Sequence, residues 1–483
     1  MNKIALVVGG ALLVLAGIVV GRALRTPSRQ VDVAPAAPVS IDAARAAAGL
    51  SEAIRFRTIS HQDSANGDRA EFTRLHDFLA ERFPRVREAL TREVVNDYSL
   101  LYTWPGRGEG KPIVLLAHLD VVPVEASTEQ QWTQAPFSGA LDDGYIWGRG
   151  SLDDKGSVLA ILEAIEYLIA GGFVPARTVY VAFGHDEESS GQAGAGTMAT
   201  RLRERGVDAE FVLDEGGSIL DGVVPGIAAP IASVCMGEKG YASVELVANG
   251  AAGHSSMPPP HTPIGVLAAA IEKLERNQRP ANIGAAMSKS VAFMGPELPF
   301  SQRMLFANLW LFGPLLEREL SRRPQTNAAI RTTTAPTIVE GGVKDNVLPA
   351  SARAVVNFRI IPGDTVAGVV EHVRQTIDDP TIAVRVLGEG TEPSPLSDPD
   401  APAFTAVARA IRATFPGTLV TPFVSLGATD ARYYAVISPN VYRFAPMHMR
   451  QDDLPRVHGT NERIAVENYV GMIRFYIELL KSL

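Results

Sequence analysis

The sequence predicts an α/β fold, with a large domain built on a mostly parallel central sheet flanked by helices and a smaller α+β domain inserted into it. Its 483 residues exceed what one hydrophobic core usually serves. From about residue 41, strand-like apolar runs alternate with amphipathic helical stretches. The clearest runs are short, apolar and bounded by turn residues, as buried parallel strands are; they are residues 113–117, 178–183 and 210–213.

The first 40 residues are predicted to be a membrane anchor and a tether. Residues 4–21 are uncharged and apolar, with basic residues at both ends that include Arg22 and Arg25, and the run is just long enough to span a bilayer. A cleaved signal peptide is the alternative, but no small-residue cleavage site closely follows the run. We therefore favour an uncleaved anchor. The charges at both ends leave open which side of the membrane the rest of the chain faces.

The remaining chain divides into three parts by its pattern. Residues 41–236 form the first part of the large domain, and within them a helical stretch over 155–170 ends at Gly171-Gly172, a good C-terminal stop. A different pattern begins near residue 237 and predicts the inserted domain over residues 237–363. Its expected elements are a strand at 243–247, a helix at 264–276 and a strand at 353–360. The large domain is predicted to resume over residues 364–483 and to end in an amphipathic helix at 465–480.

Residues 293–316 are rich in large apolar side chains. An internal helical hairpin or a dimer contact is the favoured interpretation. A surface for lipid or for an acyl chain is the alternative.

Composition narrows the possible functions. The net charge of -8 gives no indication of nucleic-acid binding. Cys235 is the only cysteine, so neither a disulfide within the chain nor a cysteine-based zinc site is possible. Any metal site must use His, Asp and Glu.

The first candidate site follows the strand at 113–117. His118 and Asp120 lie two residues apart in an extended chain and so share a face, where the carboxylate can orient the imidazole of a metal ligand. Taken alone, the pair is better explained as a satisfied core histidine with its partner.

Two further motifs bring carboxylates to the ends of elements. A glycine-rich turn at 148–156 delivers Asp153 and Asp154 to the start of a helix, where one of them can bridge two cations or simply cap the helix. At the end of the strand at 178–183, four ionisable residues follow one another and include Glu187 and Glu188. Like charges this close need counter-charge, which a dinuclear cation centre would supply while leaving one carboxylate free as a proton shuttle.

Three more residues are candidates because of the motifs or strand ends in which they lie. Asp214 ends the strand at 210–213, and ligands in open α/β sheets collect at such carboxyl ends. His254 lies in a Gly-His-Ser-Ser stretch and His458 in a late His-Gly-Thr-Asn-Glu stretch. Either histidine taken singly could be structural.

The joint order of these motifs closely resembles metallopeptidase family M20, over nearly the whole chain after the tether. The order is His-x-Asp, Gly-Arg-Gly-x-x-Asp-Asp-Lys-Gly, Glu-Glu, Asp, Gly-His-Ser and a late His-Gly. Residues 184–191, 326–335 and 458–464 look most like the N-fatty-acyl-amino acid synthase/hydrolase branch, with vacuolar carboxypeptidase S close behind. The resemblance implies that the large domain is catalytic and that the inserted one is a lid or dimerisation domain.

The resemblance also implies roles for individual residues. Asp153 would bridge two zinc ions, with His118 and Asp214 completing one site and Glu188 and His458 the other. Glu187 would be the general base, with Asp120 behind the His118 ligand. His254 would stabilise the oxyanion, often from the partner subunit of a homodimer. Asn346 and Arg359 would hold the substrate carboxylate, although Arg359 could instead form a structural ion pair.

These implications lead to a functional hypothesis with its rivals. The expected protein is a membrane-tethered, zinc-dependent hydrolase of amide bonds next to a free carboxylate, which cleaves N-acyl amino acids or makes them in reverse. A carboxypeptidase or dipeptidase with the same chemistry is the nearest rival. A non-catalytic receptor or scaffold on a peptidase fold is a remote one, and the intact Glu187 argues against it. A phosphate-ester hydrolase lacks a glycine loop for phosphate. Export of the catalytic part is expected by family likeness.

Overall fold

The computed structural model describes residues 3–61, 69–222 and 226–483. Its α-helices, α1 to α14 in chain order, are Lys3–Arg25, Ala43–Ile54, Arg69–Arg82, Pro84–Ala89, Lys155–Ala170, Thr197–Glu204, Pro263–Arg276, Ala285–Met294, Phe300–Phe306, Leu309–Leu320, Pro324–Ile330, Val366–Ile377, Pro402–Thr414 and Val466–Lys481. Its strands, β1 to β19, are Thr91–Val95, Ser99–Trp104, Ile113–His118, Leu141–Asp142, Tyr145–Trp147, Val179–Gly184, Phe211–Asp214, Ile219–Leu220, Ile231–Glu238, Gly240–Asn249, Gly253–His254, Thr333–Gly341, Val347–Leu348, Ser351–Ile360, Ile382–Thr391, Leu419–Ser425, Val441–Arg443, His448–Met449 and Arg463–Ala465.

The large domain is built on a ten-stranded sheet with the order β1-β2-β6-β3-β7-β17-β9-β8-β18, and β16 pairs with β9. The central pairs β6-β3, β3-β7 and β7-β17 are parallel, whereas β1-β2 and β2-β6 at one edge are antiparallel. The prediction of a mostly parallel central sheet is confirmed. The carboxyl ends of β3, β6 and β7 therefore meet at the same edge of the sheet.

The helix predicted at 155–170 is α5, which lies in the core of the large domain and packs against α2 and α14. It is apolar almost all round, as a helix covered on every side must be. Gly172 follows it at φ +74°, a conformation that favours glycine, so the Gly171-Gly172 stop is where the sequence predicts it.

The inserted domain has its own antiparallel sheet with the order β12-β14-β10-β15, covered by α7 and α12. Because β15 pairs with β10 and α12 packs on this sheet, the domain extends to Thr391, beyond residue 363 where the pattern placed the return to the large domain. The sequence pattern of a helix followed by a strand over residues 366–391 fits either domain. Only the pairing of β15 decides which sheet it joins.

Two segments pack against the large domain although their positions in the sequence do not predict it. Helix α8 lies within the predicted insertion, but it packs on β16 of the large domain, where the Ser290 hydroxyl donates to the Pro422 carbonyl at 2.5 Å. The predicted tether at 26–39 has neither helix nor strand, yet it lies along the large domain. Its Gln30 side chain accepts from Val420 N at 2.8 Å, and Ala36 N donates to Ala413 O at 2.8 Å.

Candidate active site

Three neighbouring parallel strands deliver the polar residues of the site. His118 is the last residue of β3, the stretch with Glu187 and Glu188 follows β6, and Asp214 is the last residue of β7. In the register of the sheet His118 lies opposite Gly184, so the end of β3 and the loop after β6 are adjacent. Ligand-binding residues of open α/β sheets gather at such carboxyl ends.

Asp153 lies between two imidazoles. Its Oδ1 is 2.8 Å from Nε2 of His118, and its Oδ2 is 3.0 Å from Nε2 of His458. The two oxygens of one carboxylate thus face two nitrogens that come from distant parts of the chain. A carboxylate placed in this way is compatible with metal binding through either oxygen.

Two overlapping clusters of donor atoms surround this carboxylate. One consists of His118, Glu187 and Glu188, and the other of Asp153, Glu188 and His458; within each, the donor atoms lie within 4.8 Å of one another. Glu188 belongs to both, with Oε2 at 3.1 Å from Nε2 of His458. The Glu187 carboxylate lies close enough to His118 and Glu188 to share a cation with them. This position suits either a metal ligand or a proton acceptor next to the metal.

Asp120 holds both halves of the first cluster in place. Its fully buried carboxylate accepts hydrogen bonds from Glu187 N at 3.2 Å and Glu188 N at 3.1 Å. Its Oδ1 lies 3.4 Å from Nδ1 of His118, and the same nitrogen lies 3.0 Å from the Asp120 carbonyl oxygen. The imidazole is therefore oriented with Nε2 toward Asp153, as the pairing of His118 with Asp120 predicts.

A buried ion pair connects the loop of His458 to the turn that carries Asp153. Arg149 donates to Glu462 at 2.5 Å and to the carbonyls of His458 and Gly459 at 3.1 Å each. Glu462 in turn accepts from Gly150 N and Leu152 N at 2.9 Å. His458 has φ +60°, a strained conformation for a residue with a side chain, and the contacts to its carbonyl support it. We call Arg149 and Glu462 the buried latch.

Arg149 and Glu462 both lie in motifs that are recognisable in the sequence, but those motifs predict no role for either residue. A signal was present, because an arginine inside a glycine-rich turn between apolar runs has to find a partner when the turn is buried. The sequence alone does not indicate which of the 53 acidic residues that partner is.

The electrostatics of the site fit cation binding. Burial, together with the neighbouring Glu188 and Asp153, raises the pKa of Glu187 well above its usual range. Burial also raises the pKa of Glu188, whose Oε1 is buried with no hydrogen-bond partner among the described residues. Burial opposes ionisation of Asp153, but hydrogen bonds from His118 and His458 lower its pKa below the usual range. Carboxylates crowded in this way, with unsatisfied oxygens, are suited to divalent ions.

Asp214 is buried at this edge but lies outside the two donor clusters. Its Oδ1 accepts from Glu215 N at 3.0 Å and its Oδ2 from Ala431 N at 2.7 Å, and burial raises its pKa to about 6. A carboxylate oxygen can accept a second partner, so these hydrogen bonds leave Asp214 able to bind a cation.

Asp154 and Asp430 are additional buried acids whose carboxylate oxygens have no hydrogen-bond partner among the described residues. Asp154 is at the N-cap of α5, but its side chain makes no capping hydrogen bond, so the simple capping interpretation fails for it. Asp430 fits against Gly184 and Gly191, where a Cβ atom would collide with its carboxylate. Burial raises the pKa of both acids well above the usual range.

The three remaining candidates lie in the inserted domain. His254 and Asn346 come together on a small ribbon, where β11 pairs with β13 and Ser255 N donates to the Asn346 carbonyl at 3.2 Å. Both are exposed, and the His254 ring contacts Ser256 at 2.8 Å. Arg359 lies at the end of β14 over the ring of Tyr241, at 4.9 Å. In the described part of the chain these residues make no hydrogen bond to the donor clusters, and Arg359 makes no ion pair.

This combination of an α/β sheet, a separate antiparallel domain and clustered imidazoles and carboxylates defines the class of metal-dependent hydrolases. The model of peptidase family M20/M25/M40 matches residues 114–482, and the chain belongs to this family. It is therefore an M20-type metallopeptidase-family hydrolase, with a candidate metal site at His118, Asp153, Glu187 and Glu188.

The similar proteins fall into two groups, which carry the names carboxypeptidase S and N-fatty-acyl-amino acid synthase/hydrolase. The chain is 40% identical to "Probable carboxypeptidase S-like 2" of Dictyostelium discoideum, over all of this chain and 94% of that protein. It is also 40% identical to the human "N-fatty-acyl-amino acid synthase/hydrolase PM20D1", over 90% of this chain and 86% of that protein. Yeast carboxypeptidase S is 34% identical over 89% and 83%. The predicted resemblance to this branch is confirmed, and both names remain compatible with the chain.

Among solved structures, the M20 family metallo-carboxypeptidase Sso-CP2 from Sulfolobus solfataricus matches with a TM-score of 0.67 at 20% identity. The match covers 92% of this chain and 99% of that one. It supports the fold assignment, the two-domain M20 architecture.

Proposed function

We propose that this chain is a di-zinc amidohydrolase that cleaves, or in reverse forms, the amide bond of N-acyl amino acids. The observation that carries the proposal is Asp153, whose two carboxylate oxygens face His118 and His458 while Glu188 joins the second imidazole. Such a carboxylate suits two ions rather than one.

The residues would divide into two sites that share Asp153. His118 and Asp214 would complete one site, and Glu188 with His458 the other. When bound, a pair of divalent ions supplies Lewis acidity toward a carbonyl oxygen and lowers the pKa of a bound water. Imidazole ligands bind as the neutral form, so metal loading would release the proton that Asp153 and Glu188 hold on His458, whose pKa they raise to about 10.

Glu187 is the proposed general base. It follows β6 beside Glu188, its backbone N–H donates to Asp120, and its carboxylate belongs to the first donor cluster. In this role it takes a proton from the attacking water and later gives it to the leaving nitrogen. Burial raises the pKa of Glu187 well above its usual range, and a raised pKa makes a carboxylate a better proton acceptor.

The inserted domain would supply recognition of the substrate. Exposed His254 is free to donate to the oxyanion of the reacting amide, from the same subunit or from the partner of a homodimer. Asn346 beside it, and Arg359, would hold the substrate carboxylate. Arg359 has no ion-pair partner among the described residues, so its guanidinium is available for both oxygens of a carboxylate.

A long apolar acyl group is the proposed substrate feature. Relatives named N-fatty-acyl-amino acid synthase/hydrolase support it, as do the exposed apolar helices α9 and α10. The test is to compare turnover of acetyl-, oleoyl- and peptidyl-amino acids with the zinc-loaded enzyme. A preference for the oleoyl substrate is expected. A preference for short peptides would instead favour the carboxypeptidase or dipeptidase reading, which the relatives named carboxypeptidase S support equally.

Retention of α1 as a membrane anchor is part of the proposal, with the catalytic part exported; a secreted form after signal cleavage is the alternative. Residues Leu6–Arg25 are long and apolar enough to cross a membrane. In addition, the buried Asn308 side chain donates to the Val19 carbonyl at 3.0 Å. The same nitrogen donates to the Met304 carbonyl at 2.9 Å, so cleavage after α1 would remove one of the two acceptors of this buried amide.

A further inference from the structure

Helices α9 and α10 form what we call the apolar hairpin, residues Phe300–Phe306 and Leu309–Leu320. Neither helix has a fully buried side chain, although most of their residues are apolar. Phe300, Trp310, Leu311 and Leu315 are 43%, 53%, 38% and 58% exposed. Large exposed apolar side chains on two consecutive helices indicate a binding partner that is itself apolar.

The apolar hairpin lies beside α1, so its position along the membrane normal can be deduced. Asn308 between the two helices donates to the Val19 carbonyl, six residues before Arg25 at the end of α1. At 1.5 Å per residue, this contact lies about 9 Å along the axis from the end of the helix. If α1 spans a bilayer whose hydrocarbon core is about 30 Å thick, the tip of the hairpin lies inside the adjoining leaflet.

A groove of about 870 Å³ separates the hairpin from α1. Its lining includes Val14 and Ile18 of α1 and the three arginines Arg22, Arg25 and Arg303. In the described part of the chain none of these arginines pairs with a carboxylate, whereas the neighbouring Arg29 pairs with Asp400. Nε of Arg303 is buried with no hydrogen-bond partner among the described residues. The Arg303 guanidinium also donates to the Leu298 carbonyl at 3.2 Å. Apolar lining residues together with three guanidinium groups that pair with no described carboxylate complement a lipid with an anionic headgroup.

We propose that the apolar hairpin lies in the membrane leaflet beside α1, and that the groove between them binds an anionic phospholipid from that leaflet. The acyl chains lie along Val14, Ile18 and the hairpin, and the phosphate lies among the three arginines. Trp310 lies at the first turn of α10, and its indole N–H donates to the Asn308 side chain at 3.2 Å. Its ring therefore lies at the tip of the hairpin, among the acyl chains of the leaflet. The proposal rests on the retention of α1 proposed above, but not on the reaction that the enzyme catalyses.

Trp310 provides a direct readout in the full-length protein. The other three tryptophans, Trp104, Trp132 and Trp147, are at most 8% exposed, so Trp310 is the one within reach of external quenchers. The protein is reconstituted into vesicles of equal parts phosphatidylcholine and phosphatidylglycerol. In one sample the acyl chains of the phosphatidylglycerol carry bromine, which quenches nearby indoles, and in the other those of the phosphatidylcholine do. Intact mass establishes that α1 is present.

Bromine in either lipid should quench the fluorescence, and brominated phosphatidylglycerol should do so roughly twofold more strongly. Both effects should vanish in Trp310→Phe. Replacing Arg22, Arg25 and Arg303 together by Gln should abolish the difference between the lipids but keep the quenching. Arg87, Arg203 and Arg409 are exposed on other helices, and their replacement by Gln removes the same charge and should change neither effect.

Two results would overturn the proposal. Quenching by aqueous acrylamide but not by brominated lipid places the hairpin in water. Equal quenching by the two brominated lipids, with α1 intact, eliminates the headgroup site. A mass that lacks α1 instead contradicts the anchor, which distinguishes that failure from the other two.

Discussion

The edge of the ten-stranded sheet and the inserted domain differ in how they present their polar residues. At the sheet edge, residues from β3, the turn before α5, the loop after β6 and the loop at His458 meet within hydrogen-bond distance of one another. In the inserted domain, His254 and Asn346 are exposed on a ribbon, and Arg359 is held against Tyr241. The polar side chains of the first region contact one another, whereas those of the second make few contacts with the rest of the described chain.

This difference implies two kinds of functional dependence. Residues at the sheet edge are held in place by burial and by hydrogen bonds to one another. Their substitution should therefore change turnover, metal content or the stability of the fold. The candidate residues of the inserted domain make few contacts with the rest of the chain. Their substitution should therefore affect catalysis but change the stability of the fold little. The following predictions test this contrast.

Glu187→Gln should produce the largest effect. It removes the proposed base while keeping the shape of the side chain, so turnover should fall about 10³-fold or more. Zinc content should stay at the wild-type level, measured by elemental analysis of the purified protein. Undiminished turnover would show that Glu187 is not the base, and a loss of metal would make it a ligand, which its place in the first donor cluster also allows.

Arg149→Met should destabilise the protein by about 3 kcal/mol, because it leaves the carboxylate of Glu462 unpaired in the core. It should also reduce metal content, since the loop that carries His458 loses its attachment. Glu462→Gln is the matched variant, which can still accept from Gly150 N and Leu152 N and should be milder. Thermal unfolding and zinc analysis measure both. If Arg149→Met has the thermal midpoint and zinc content of the wild type, the buried latch does not hold the loop of His458 in place.

His254→Ala should lower kcat about 100-fold without changing the thermal midpoint, as expected for an exposed donor to an oxyanion. A complementation assay asks whether the histidine acts across a dimer. When His254→Ala and Glu187→Gln proteins are mixed and allowed to exchange subunits, about a quarter of the wild-type activity should return. No recovery despite demonstrated exchange would mean that His254 serves its own subunit or no site at all.

Arg359→Lys should raise KM about tenfold and leave kcat nearly unchanged, because an ammonium cannot pair with both carboxylate oxygens. Comparing an N-acyl amino acid with its amide, which lacks the carboxylate, provides the control. The wild-type preference for the acid should shrink in the variant. An unchanged preference would assign carboxylate binding elsewhere.

Glu245→Gln should produce the smallest effect, a shift of a few degrees or less in the thermal midpoint. Glu245 lies on β10 and pairs with Arg353 at 2.5 Å and with Arg385, and hydrogen bonds from these arginines lower its pKa. A carboxyl whose pKa is lowered by folding stabilises the protein above its unfolded pKa and loses that contribution as pH falls through the folded one. The difference between variant and wild type should therefore shrink below about pH 4. If the difference in thermal midpoint between variant and wild type instead grew as the pH fell, folding would not lower the pKa of Glu245.

The sequence by itself determined the elements that local pattern controls. The helix Lys155–Ala170 begins and ends where the pattern predicts, and the strands after which His118, Glu187 and Asp214 follow are all present. These residues are predictable because a parallel sheet brings the carboxyl ends of its strands to one edge whatever the rest of the chain does.

Tertiary structure alone decided the pairings between distant segments. That Glu462 is the partner of Arg149, that Asp430 closes against Gly184, that β15 joins the inserted sheet and that α8 packs on β16 all depend on contacts far apart in sequence. An alternating pattern shows that a strand will have a buried face but not which sheet will cover it. For the same reason the apolar run at 293–316 was identifiable from composition, while its position beside α1 required the fold.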